Sequence, residues 1–315
     1  MQPTGLVYLR RVALIVLFIC SLVAIMVMGS RVQADGETSE DAVIAEAEVS
    51  QLTQQITAEA QAIESRDNKI ALYSNYLQLT GVVAEYDGEE VIVPVVLFSE
   101  AMSDCTVSYT KNSVEITAEG LCIEAVVGER YIVANDKYIY VDGGIELRED
   151  GHIWTSIDVM SRIFGCEYTF DAESKSVHLT LTGDYISKEK NYTSKDLYWL
   201  ARIINAESRG ESFIGKLAVG TVVMNRVASR NYPNSVYGVI FDRGQFTPAE
   251  SGSVYRTPLE DCVTAARIVL DGYRISDSIL FFHSIRNPKK YEGFVNTEEE
   301  MVIGNHYFYT DYSRR

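Results

Sequence analysis

The chain has 315 residues, with 28 Lys and Arg against 44 Asp and Glu for a net charge of −16, and its composition is 47% hydrophobic and 23% charged. That length exceeds the ~250 residues at which a single hydrophobic core stops growing, so at least two folded parts are expected, and the apolar share excludes wholesale disorder. The acidic balance excludes nucleic acid as a partner, because polyanion binding rests on Lys and Arg neutralising phosphates.

Arg10 and Arg11 precede VALIVLFICSLVAIMVM, residues 12–28, in which Ser21 is the only polar side chain. A run of this kind targets a membrane: it falls between a signal-peptide core of about 7 to 15 residues and a spanning helix of about 17 to 25. Residues 1–34 are therefore a signal peptide cleaved after Ala34 or a retained anchor. Either way the basic end stays in the cytosol and the rest is exported, which predicts an extracytoplasmic protein, membrane-anchored or secreted to the cell wall. The acidic stretch DGETSEDAVIAEAE, residues 35–48, reads as a flexible linker. After it Val49, Ile56, Ile63, Ile70 and Leu77 recur every seven residues, while the companion seam of Leu52, Glu59, Arg66 and Tyr73 is only partly apolar. The pattern predicts a helical stalk within 35–84 that self-associates weakly with a second copy, or a helix laid on the next domain.

Residues 85–183 change to short β runs separated by turn residues, among them VIVPVVLF, SVEIT, CIEAVV, RYIVA and SVHLTL. They contain an internal repeat. Setting Cys105 against Cys166 matches Val96 to Ile157, Met102 to Ile163, Tyr109 to Phe170 and Val114 to Val177, so each copy reads as a short helix followed by a hairpin, and two copies can bury one core. Cys105, Cys122, Cys166 and Cys262 show no CxxC spacing, which argues against zinc or thioredoxin chemistry. They read as buried free thiols, with a Cys105 to Cys122 bridge as the alternative. The stretch DGGIELREDGHIWTSIDVMSRIFGCEYTFDAESKSVHLTL resembles the copper amine oxidase N-terminal-like domain of exported bacterial proteins. That resemblance implies a wall-facing spacer or adhesion module and no copper, since His152 and His178 stand alone.

Residues 184–195 read as an interdomain linker, and 196–315 as a mainly helical domain. Thr193 or Ser194 can cap a helix with the apolar face Leu197, Leu200, Ala201 and Ile204; a second helix is expected over 213–227 and a third over 259–270, ended by Gly272. GVIFDRGQFTPAESGS between them reads as a loop or short strands, and SILFFH and NHYFYT as two strands around a polar loop.

Glu207 stands at the end of the apolar helical run LARIINA, on the side of Ile203 and Ile204. The negative end of the helix dipole and apolar surroundings both disfavour its charged form, which suits a group that must donate a proton near neutral pH. The competing reading is an ion pair to Arg209 or Arg226. Glu211, one turn on, is a rival acid or a cap for the next segment, and Asp242, Glu250 and Asp261 are candidates for a second carboxylate. Asn225, Arg226, Gln245, Phe246 and Thr247 are candidate groove residues, because amides, hydroxyls and an aromatic face suit an N-acetylated sugar; Arg209 and Glu211 complete the substrate-binding candidates. His283 and His306 are two histidines where a zinc amidase needs three ligands, and Cys262 lies on the apolar face of a helix, so neither metal nor cysteine chemistry is expected, and no cofactor.

Residues 196–309 resemble the catalytic domain of the SleB and CwlJ type cell wall hydrolases, through LARIINAESRGE, GKLAVGTVVMNRV, YPNSVYGVIFDRGQFTP, AARIVLDG and IGNHYFY. The resemblance implies a lysozyme-like fold, peptidoglycan as partner, and Glu207 as the catalytic acid and base, with Ser208 replacing the family's usual alanine. The fold class expected is thus α+β: a membrane helix and helical stalk, a β-rich βαββ-repeat module, and a lysozyme-like catalytic domain. Hydrolysis of a glycosidic bond requires two carboxylates, whereas a lytic transglycosylase can use one; the family resembles the second type. A non-catalytic wall-binding protein is the alternative.

Overall fold

The computed structural model describes residues 68–285 and 300–310. The chain divides into two compact units, residues 1–70 with 85–87, and residues 71–84 with 88–315; the architecture below is that of the second. The apolar run 12–28, the acidic linker and the stalk up to residue 67 lie outside the described residues. Among the described residues no helix is long and apolar enough to cross a membrane.

The stalk reading fails at its C-terminal end. Residues predicted to continue the helix form strands β1 (Lys69–Ser74) and β2 (Leu77–Gln78) instead, joined through Asn75 and Tyr76 at φ of 49° and 67°. A two-residue turn with both φ positive matches strand twist, and Ile70 and Leu72 are buried alternately, so period two prevails over period seven here. Residues 71–74 of β1 pair in parallel with Ser176–Leu179, which places this segment in the β module rather than ahead of a boundary at 85.

The module continues through β3 (Ala84–Tyr86), β4 (Val91–Pro94), α1 (Val95–Met102), β5 (Cys105–Tyr109), β6 (Ser113–Ala118), β7 (Leu121–Val126), β8 (Tyr131–Ala134), β9 (Lys137–Tyr140), β10 (Glu146–Leu147), β11 (Ile153–Ser156), α2 (Ile157–Ile163), β12 (Cys166–Asp171) and β13 (Ser176–Leu181). Each repeat is a strand, a short helix and a hairpin. The two copies meet where β4 pairs antiparallel with β11 and where Phe98 of α1 packs edge-on against Phe164 at 5.7 Å. Their hairpins then part company. β5 and β6 open a five-stranded antiparallel meander running to β9, whereas β12 and β13 form a hairpin with β1 on its outer side. Equivalent cysteines therefore have unequal surroundings: Cys166 is buried and Cys105 half-buried. Neither is bridged, and Cys105 and Cys122 lie on strands separated by β6, roughly 10 Å apart at strand spacing, beyond disulfide reach.

The segment expected to be a free linker is tied down at its start. Ile186 donates its N–H to the Ile163 carbonyl at 3.0 Å, and Tyr185 packs edge-on against Phe164 at 5.6 Å. Asn135, in the β8–β9 turn at φ 50°, ties two segments together with its buried amide: its Oδ1 accepts from Cys122 N–H, and its Nδ2 donates to the carbonyls of Gly120 and Ile186.

The helical part comprises α3 (Ser194–Ser208), α4 (Phe213–Ala228), α5 (Val236–Ile240), α6 (Thr247–Ser251), a 3-10 turn (Ser253–Tyr255) and α7 (Glu260–Leu270). Thr193 opens α3 with a capping box: its hydroxyl accepts from Asp196 N–H at 3.2 Å, and the Asp196 carboxylate accepts from Thr193 N–H at 2.9 Å. α4 is buried nearly all round, and Gly220 is its narrowest point. A Cβ there would lie 3.0 Å from Ile204 Cδ1 of α3 and 3.1 Å from Val269 Cγ2 of α7, so glycine sets how closely three helices cross. The stretch expected as loop or strands folds into the short α5 and α6. Strands β14 (Phe281–Ser284), β15 (Glu300–Ile303) and β16 (His306–Tyr309) form a three-stranded sheet with β16 in the centre; β15, which starts at the last residue of the expected polar loop, is a strand the sequence reading did not include.

The meander and the helices share one core. Tyr140 of β9 packs against Tyr273 at 4.7 Å and Phe213 at 6.4 Å, Tyr138 N–H donates to Asp271 Oδ2 at 2.9 Å, and Arg267 donates to the Tyr138 hydroxyl at 2.5 Å.

Candidate active site

Glu207 occupies the last turn of α3, reached through Leu200, Ile203 and Ile204, all fully buried. Among the described residues it makes no hydrogen bond and no ion pair, and burial alone raises its pKa from 4.5 to about 7. The expected alternative, a salt bridge to Arg209 or Arg226, is absent. Arg209 is exposed and donates to Asn205 Oδ1 at 3.2 Å, while Arg226 is buried and donates its Nε to the Leu280 carbonyl at 2.7 Å. A carboxyl that is desolvated yet unpaired holds its proton near neutrality and can release it to a substrate oxygen.

Asn205, two residues before Glu207, escaped the sequence reading. It is 2% exposed, and its Oδ1 also accepts from Leu259 N–H at 3.1 Å, fixing the start of α7 beside the end of α3. The signal for it was a lone amide inside an apolar helical run.

Glu211 has a different occupation. Both its oxygens accept from Asn305, one from the backbone N–H at 3.1 Å and one from the side-chain amide at 3.0 Å, and His306 Nδ1 lies 3.9 Å away. Burial alone would raise its pKa, but the Asn305 donors, His306 and Lys216 outweigh it and hold the carboxyl below its ordinary value. Lys216, 3% exposed, donates to the Glu211 carbonyl and pairs with Asp261 at 3.3 Å. Glu211 thus clamps the turn between α3 and α4 to the β15–β16 turn, and Asp261, itself exposed, serves as counter-ion to the buried Lys216.

Of the remaining candidates, Asn225 donates to the carbonyls of Ser276 and Ile279 at 2.9 and 3.0 Å. With Arg226 it holds the approach to β14; these are carbonyls of a distant segment rather than of the helix's own end. Phe246 is 3% exposed and packs under Arg226 and beside Phe282, so its ring belongs to the core. Gln245 is half-buried and Thr247 exposed at the start of α6. Glu250 accepts from Gly244 N–H at 3.2 Å and Asp242 from Arg243 N–H at 3.0 Å, both at the surface. His283 lies opposite Tyr307 and His306 opposite Ser284, so the two histidines fall on opposite faces of their sheet. Burial lowers the His306 pKa, against the pull of Glu211. Cys262 is fully buried, and burial pushes its thiol up to about 12, too high for a nucleophile.

Comparison with known proteins identifies two parts of the chain. Residues 210–309 match the family model described as Cell Wall Hydrolase, and residues 73–179 the Copper amine oxidase N-terminal domain. The spore cortex-lytic enzyme of Bacillus cereus is 36% identical over 91 residues, 29% of this chain and 35% of that protein. The spore cortex-lytic enzyme of Halalkalibacterium halodurans is 40% identical over 86 residues, 27% of this chain and 25% of that protein. The chain therefore spans about a third or less of these relatives' length. The crystal structure of the catalytic domain of the Bacillus cereus SleB protein is 31% identical, covering 38% of this chain and 94% of that one, with a TM-score of 0.33. By these matches the chain carries a SleB-type cell wall hydrolase domain and, ahead of it, a copper amine oxidase N-terminal domain.

Proposed function

We propose that the chain is an extracytoplasmic enzyme, exported by residues 1–34 as a retained anchor or a cleaved signal, that cleaves the glycan strands of peptidoglycan as a lytic transglycosylase with Glu207 as its acid and base. The observation that carries the reading is the isolation of Glu207: desolvated, unpaired among the described residues, and protonated up to about pH 7. The spore cortex-lytic relatives support the substrate class.

The protonated Glu207 carboxyl gives its proton to the glycosidic oxygen as the bond from that oxygen to C1 breaks. The resulting carboxylate then takes the proton from the same sugar's 6-hydroxyl as O6 closes on C1. The products are a new 4-hydroxyl end and a 1,6-anhydro end, Glu207 is protonated again, and no water is consumed. One carboxyl performs both transfers. That economy accords with the engagement of Glu211 and Asp261 in structural pairs.

Full-length protein incubated with purified peptidoglycan, with muropeptides read by mass spectrometry, tests the reading. Anhydro-muramyl ends are expected. New reducing ends would replace transglycosylation by hydrolysis, and the absence of any product would leave a wall-binding protein without chemistry.

A further inference from the structure

The first half of α3 carries aromatic side chains that the site above does not use. Tyr198, Tyr237 and Tyr255, from α3, α5 and the 3-10 turn, are 46%, 44% and 59% exposed, although large apolar rings are ordinarily covered. They surround Trp199, which meets Tyr198 edge-on at 4.9 Å, Tyr237 at 5.4 Å and Tyr255 at 5.8 Å. Two cations are set into the cluster: the Arg202 guanidinium lies 3.6 Å from the centre of the Tyr198 ring and the Lys195 ammonium 4.9 Å from that of Tyr237. Tyr198 precedes Glu207 by nine residues, about two and a half helical turns, so it projects from the opposite side of α3. The ring of Tyr198 thus faces away from the Glu207 carboxyl, and the cluster builds outward from that side of α3.

We propose that this aromatic patch is a second peptidoglycan-binding site, which holds a glycan strand away from the point of cleavage. It rests on the substrate class proposed above. Exposed aromatic patches mark interaction surfaces, and rings with polar tips suit the apolar faces and hydroxyl edges of pyranose sugars. The charge argues for this occupant in particular. On a chain of net charge −16, Lys195 and Arg202 are placed among the rings, where the carboxylates of muramyl stem peptides would meet them.

The test is co-sedimentation of the full-length chain with insoluble peptidoglycan sacculi, paired with turnover on short soluble glycan fragments. The triple variant Tyr198→Ala, Tyr237→Ala, Tyr255→Ala is expected to bind sacculi about tenfold more weakly while keeping the wild-type kcat on soluble fragments. Lys195→Glu with Arg202→Glu, which leaves the rings in place, is expected to weaken sacculus binding while keeping the wild-type kcat on soluble fragments. Unaltered sacculus binding in both variants overturns the proposal, as does a change from dimer to monomer by light scattering with binding unaltered, which would give the patch to a second copy. If wild type yields no cleavage products yet the variants still lose binding, the enzymatic reading falls and this one stands.

Discussion

Glu207 ties activity and stability to the same proton. In the proposed mechanism the group is needed protonated, so turnover should decline as pH rises through about 7, and a pH profile of kcat/KM measures that limb. Glu207→Gln should cut turnover by roughly 10²–10⁴-fold while sacculus binding persists. Stability moves the other way. The folded chain holds this proton more tightly than the unfolded one, so the group's stabilising contribution is whole below about pH 4.5 and is lost as pH rises through about 7. Glu207→Gln should therefore match wild type in acid and exceed it at pH 8, by up to about 3 kcal/mol, measurable as a Tm difference that opens with pH. Glu211→Ala should instead destabilise the chain at neutral pH by about 0.5 to 1.5 kcal/mol, read as a lower Tm, because the exposed Asn305 donors exchange their acceptor for water. Sequence alone gave Glu207 its place, since a carboxylate closing an apolar helix has few reasons to be there. It did not reveal that Asn225 and Arg226 hold backbone carbonyls, because those carbonyls lie 51 to 54 residues further along the chain.

At the level of elements, α3, α4 and α7 were legible because a period near 3.6 runs along each, with Thr193 and Asp196 marking the start of the first. The tightness of their crossing was not, since it depends on the absence of one methyl group. Gly220→Val should destabilise the chain by about 1 to 3 kcal/mol in chemical denaturation, as its branches enter space held by Ile204 and Val269. β1 shows how a short repeat misleads. Ile70 fits a heptad stripe and a strand alike, and the alternate burial of Leu72, the Asn75–Tyr76 turn and the pairing with β13 decide for the strand. β15 was hidden for a related reason: its first residue, Glu300, belongs to an acidic run that reads as loop, and β16 recruits it as a partner.

Across the second unit, the β module is more than a spacer. Tyr138 and Tyr140 of the meander enter the core of the helical part, and Asp271 at the end of α7 accepts from the Tyr138 backbone. Asp271→Ala should cost about 1 to 3 kcal/mol by leaving that N–H without its acceptor, and should expose residues 187–192 to limited proteolysis sooner than in wild type. Sequence predicted two bodies joined by a linker; the surface that joins them was invisible because its tyrosines lie in alternating strands that read as ordinary half-buried sheet. The parallel pairing of β1 with β13 has its own consequence for where the polypeptide can be cut. A truncation starting at Glu85, the boundary that composition recommends, would strip β13 of its neighbour and leave Ser176–Leu179 as a bare edge open to pairing with other molecules. A fragment starting ahead of Lys69 keeps that edge covered, and the two should separate in size-exclusion chromatography, the shorter as aggregates and the longer as a single species.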